Sequence, residues 1–108
     1  MSKGKHHSVY VVELDSAVLK ETKFVKANPG HDPEKACYYV GLTGLSPEER
    51  FEKHKEGYKS NKFVQNYGLR LCTHLYEEYN PLSYEAAQEM EITLAEMLRA
   101  RGHAVWQK

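Results

Sequence analysis

The sequence predicts an α/β (α+β) domain: a small three-stranded, mainly antiparallel sheet with flanking helices, in the order β-β-α-α-β-α. Three observations lead there. Two runs rich in β-branched and aromatic residues, 8–14 and 36–42, come before any strong helix signal. Two helix starts are marked by capping residues, at Ser46 and Ser83. The 108 residues are enough for one core and not for two.

Residues 1–7 are expected to form a flexible basic arm, with His6 and His7 solvated, and residues 8–106 a single domain. The first strand is Ser8 to Leu14 (Val9, Tyr10, Val11, Val12). A long mixed connection over 15–36 follows, with a turn signal at Asn28-Pro29-Gly30. The second strand is Ala36 to Leu42, paired antiparallel with the first. Ser46-Pro47-Glu48-Glu49 opens a helix with a capping box, and Gly57 ends it. Ser60 is the expected cap of a shorter helix through Asn66, and Leu69 to Thr73 alternates as a third strand. Tyr76 to Pro81 suits a turn or a short helical piece. Ser83 caps the longest helix, 84–101, before Gly102, and 103–106 is extended or a short edge strand.

Fifteen Lys and Arg balance fifteen Asp and Glu, which excludes a histone-like polybasic binder but not a local basic face. No apolar stretch approaches the length of a membrane span, and the start has no secretory pattern. Cys37 and Cys72 show no CxxC spacing, so buried thiols in a reducing cytoplasmic setting are expected.

The long helix holds the sharpest anomaly. On a wheel centred on Leu94, the residues Ala87, Met90, Met97 and Leu98 fall within about 60° of it, and Glu85, Glu89 and Glu96 fall opposite. Glu91 sits at about 60°, on the edge of the apolar stripe. A carboxylate there pairs with a Lys or Arg, reaches out of the stripe, or holds a cation. Arg50 and His54, four apart, share a helix face. With Lys53, Lys55, Lys59 and Lys62 they make a basic segment, which is either a solvated lysine-rich face or a phosphate-binding surface. Tyr38 and Tyr39 point to opposite faces of their strand. Tyr58 and Trp106 are aromatics that stack on bases or simply pack.

Taken in order, these residues resemble the GIY-YIG nuclease family. Ser8-Val9-Tyr10 stands at the first motif and Tyr39-Val40-Gly41 at the second; Thr43 follows, then Arg50 and His54, then Glu91 between Ala87 and Leu94. The resemblance covers 8–106 and is nearest to small stand-alone bacterial members. The first motif has Ser8 where glycine is usual, and the 15–38 connection exceeds a minimal hairpin. Asn66 and Asn80 are the candidates for an asparagine that some members carry.

The resemblance implies a metal-dependent endonuclease hydrolysing phosphodiesters in DNA, on structured or weakly specific substrates. Glu91 would bind Mg²⁺ or Mn²⁺. Tyr10 would be the general base, with help from His54; Arg50 would contact the scissile phosphate, and Tyr39 would position water or phosphate. Gly41 would permit close approach at the end of its motif. Lys53, Lys55, Lys59, Lys62 and Thr43 are the expected nucleic-acid contacts. Two alternatives stand beside this: a catalytically weak nucleic-acid-binding module acting with a partner, and an RNA-directed nuclease. A protein partner or a homodimer would supply specificity.

Overall fold

A four-stranded sheet forms the centre of the protein, in a computed structural model that describes residues 4–107. Residues 1–3 of the expected arm lie outside the described residues. Its strands are β1 (Ser8–Leu14), β2 (Cys37–Thr43), β3 (Gly68–Leu71) and β4 (Ala104–Gln107), in the spatial order β3-β1-β2-β4. β1 pairs antiparallel with both β2 and β3, and β4 lies parallel to β2. The fold is therefore α+β with a mixed sheet, and the three-stranded expectation is corrected to four. The fourth strand is short, and Asn28, distant in sequence, and Arg99, six residues before Val105, complete its outer edge: Asn28 Oδ1 accepts the Val105 N–H and Arg99 donates to the Val105 carbonyl. The segment read as extended or a short edge strand, 103–106, is the one that pairs with β2 and becomes this fourth strand.

The helices are α1 (Thr22–Lys26), α2 (Pro47–Glu56), α3 (Lys62–Tyr67) and α4 (Tyr84–Ala100). The Ser46–Glu49 capping box is formed at α2, and Gly57 closes that helix in the left-handed region at φ 91°. Ser83 caps α4 through the Ala86 N–H. At α3 the cap is Asn61, whose carboxamide oxygen accepts from Phe63 and Val64, and not the expected Ser60. The long connection, with ends expected to continue the strands, instead contains helix α1, which buries Phe24. That ring is fully buried, 5.3 Å from Phe63 and 6.5 Å from Trp106.

This aromatic cluster, with α1, α2 and α3, lies on the sheet face that carries Tyr10, Tyr39 and Trp106. On the other face Val9, Val11, Val40 and Val105 are completely buried, and α4 is the helix packed on β1, β2 and β4. Each such valine contributes roughly 1.5–3 kcal/mol. Ala87, Leu94, Ala95 and Leu98 form the stripe that α4 buries. His7, part of the expected arm, exchanges backbone hydrogen bonds with Leu82 and lays its ring 5.1 Å from Tyr84. Cys37 and Cys72 are buried free thiols. Among the described residues, no helix is long and apolar enough to cross a membrane.

Candidate active site

Strand register brings the two motif tyrosines together. Tyr10 faces Gly41 and Tyr39 faces Val12 across the β1–β2 ladder, so both phenols leave the same side of the sheet. They lean over Gly41: a Cβ there would lie 2.7 Å from Tyr10 Oη and 2.9 Å from a Tyr39 ring carbon. Glycine is required because neighbouring side chains fill the space a larger residue would need. Tyr38 points to the other face and meets the His103 ring at 4.8 Å.

Helix α2 adds His54, 1 % exposed, whose Nε2 is 2.8 Å from Tyr10 Oη. Its Nδ1 accepts the backbone N–H of Asn61 at 3.1 Å. A backbone N–H can only donate, so Nδ1 carries the lone pair and the proton sits on Nε2. His54 therefore donates to the Tyr10 oxygen. A ring that donates through Nε2 cannot also take the Tyr10 proton at that atom. Burial first, then the nearby Arg50 charge, pushes the His54 pKa down to about 4, so the ring is neutral at pH 7.

Burial pushes the Tyr10 hydroxyl far above its ordinary range; Tyr39 and Glu91 add to this, and Arg50 opposes it. Tyr39 is also raised by burial, but the interaction with the Tyr10 hydroxyl lowers it while raising Tyr10. The two rings lie 6.1 Å apart, centroid to centroid.

Glu91 is 7 % exposed, on the buried stripe of α4, and its charge acts on both tyrosines. No group of three or more His, Cys, Asp or Glu that could hold a metal ion occurs among the described residues. A carboxylate oxygen is the donor type that hard divalent cations take, and Glu91 is the candidate residue that supplies it.

Arg50, half-buried on α2, lies close enough to act electrostatically on Tyr10, Tyr39 and His54. Its guanidinium donates to the carbonyls of Tyr58 (3.3 Å) and Lys59 (2.7 Å). Thr43, Leu45, Arg50, Lys53, Tyr58 and Lys59 line one surface groove. Of the expected contacts, Thr43, Lys53 and Lys59 are therefore beside Arg50, and two are not. Lys55 donates to the carbonyls of Gln65 and Gly68, tying α2 to the start of β3. Lys62 lines a different groove with Glu21, Asn66 and Tyr67.

Asn80 binds the Val9 N–H and carbonyl with its carboxamide, completing the edge of β1 beyond β3. Its amide is occupied there, so it does not act at the tyrosine pair. The residue that sequence reasoning missed is Asn61, which acts through its backbone, and no side-chain motif reports a backbone donor. No family model matches this chain, and no curated protein or solved structure does either.

Proposed function

We propose that this chain is a divalent-metal-dependent endonuclease of the GIY-YIG type, hydrolysing phosphodiester bonds in DNA. One observation carries the reading. Tyr10, Tyr39, Arg50, His54 and Glu91, from four separate elements, converge with a Tyr10–His54 hydrogen bond over a glycine whose side-chain space the phenols fill. A structural polar cluster has no need of a carboxylate and a guanidinium acting on the same pair of phenols.

In this reading Tyr10, its own proton lost to bulk water, takes a proton from the water that attacks phosphorus; the new P–O bond forms as the P–O3′ bond breaks, and solvent protonates the leaving oxygen, giving a 5′-phosphate and a 3′-hydroxyl. Tyr10 must ionise first, against its burial; the His54 Nε2–H and the Arg50 charge both stabilise that anion. Arg50 also meets charge building on the phosphate, and Tyr39 orients water or a phosphate oxygen. Glu91 would hold a divalent cation, whose chemistry is to neutralise charge on the phosphate and leaving oxygen. The groove through Thr43, Arg50, Lys53 and Lys59 takes the strand.

The test is cleavage of fluorescent single-stranded, duplex and branched DNA, with matched RNA, in Mg²⁺ or Mn²⁺ against EDTA. Metal-dependent cleavage lost in Glu91→Ala, with folding and binding retained, supports the proposal. A folded protein that binds nucleic acid but cuts nothing sinks it and favours a binding module. Preference for RNA would move the substrate class.

A further inference from the structure

We propose that Tyr58 is a base-stacking platform that selects an unpaired nucleotide next to the Arg50 site; this rests on the chain binding nucleic acid. At 55 % exposure Tyr58 is the most exposed large apolar side chain among the described residues. Its position is fixed all the same. Gly57 and Lys59 on either side have positive φ, 91° and 45°, and together they turn the tyrosine outward. Lysine is uncommon in that region, so a specific backbone shape is being held. Arg50 holds it by donating to the carbonyls of Tyr58 and Lys59, while the Tyr58 N–H donates to the Lys53 carbonyl.

The chemistry around the ring points to a nucleic-acid strand. Lys53 and Lys59 Nζ lie 5.0 and 5.6 Å from the ring centroid, and no acidic residue lines the groove that these three share with Arg50, Thr43 and Leu45. Both ammonium groups lie over the ring, an arrangement that matches a strand offering a base to take their place on the face and phosphates to pair with them. A paired base inside a duplex has both faces covered by its neighbours. Only an unpaired or displaced base offers Tyr58 a free face. Because Arg50 both anchors this loop and acts on Tyr10 and Tyr39, a base stacked on Tyr58 sets the register of the phosphate brought to the site.

Binding is measured in EDTA, so that cleavage is absent, with a single-stranded DNA carrying 2-aminopurine and with a hairpin duplex of the same sequence. The wild-type protein binds the single strand more tightly than the duplex and quenches the 2-aminopurine. Tyr58→Ala weakens single-strand binding by about 5- to 150-fold and abolishes the quench, whereas Tyr58→Phe keeps both. The salt dependence is unchanged in Tyr58→Ala, because no phosphate contact is lost. Single-strand binding or quenching that survives Tyr58→Ala overturns the platform and leaves the nucleic-acid reading standing. Failure of the wild type to bind either DNA overturns both.

Discussion

Asn28, at the outer edge of β4, and Tyr10, at the centre of the sheet, are both almost fully buried polar residues, and both join segments far apart in sequence. Asn28 donates to the Phe24 carbonyl and accepts from Arg99 Nε and the Val105 N–H. Those bonds use its amide as scaffold: they close a strand edge. Tyr10 accepts a hydrogen bond from His54, but its own ionisation is displaced by burial, Tyr39, Arg50 and Glu91. One cluster balances donors against acceptors around an amide that does not titrate. The other gathers two tyrosines, an imidazole, a guanidinium and a carboxylate, and displaces the pKa values of the tyrosines and the imidazole. Burial of a polar group therefore does not by itself mark a site; a cluster of perturbed titratable groups is the stronger pointer.

Substitutions can separate the two clusters. Glu91→Gln is nearly isosteric, so cleavage should fall by on the order of 10³-fold while stability changes by less than about 1 kcal/mol. Kinetics alongside urea unfolding checks both halves, and a large stability loss with small kinetic effect would place Glu91 with the scaffold. Asn28→Ala should do the reverse. It strands the Phe24 carbonyl and the Val105 N–H, costing about 2–4 kcal/mol and lowering Tm by about 10 °C or more, with activity per folded molecule unchanged.

Acid should reach the tyrosine cluster through His54. The unfolded imidazole takes its proton near pH 6.5 and the folded one near 4, so the unfolded state binds more protons between them. Stability is full above about 6.5 and falls as the pH drops towards 4, by of order 3 kcal/mol. Unfolding curves at pH 7, 5.5 and 4.5 should show that slope, flattened in His54→Gln. Cleavage should climb with alkaline pH, because Tyr10 must ionise from a raised value. A rate that is flat from pH 7 to 9.5 would remove Tyr10 from the role of base. The smallest effect is expected at Asn80→Ala, about 1 kcal/mol, since water can reach the part-buried edge of β1 that its amide completes.

Signals carried by neighbours in the chain are legible in the amino-acid sequence alone. The β1 and β2 runs, the Ser46–Glu49 capping box, the Ser83 cap and the misfit of Glu91 on an apolar stripe depend on periods of two and 3.6 residues and on caps a few positions away. Arg50 and His54 share a helix face for the same reason. Local pattern does not reach partnership over long separations. Helix α1 forms because Phe24 packs with Phe63 and Trp106. Strand β4 lies parallel to β2, with Asn28 and Arg99 closing its outer edge. Lys55 has the charge and spacing of a phosphate ligand, yet the carbonyls of Gln65 and Gly68 claim it in the fold.

The sequence by itself determined an α+β chain with two central strands, two well-capped helices and a carboxylate where an apolar residue was expected. Only the tertiary structure decided which proton His54 holds, because that depends on a backbone N–H seven residues further along, turned inward at the start of α3. It also decided that the phenols of Tyr10 and Tyr39 share the space above Gly41, since a β-strand fixes which side a residue faces but only register fixes what it faces.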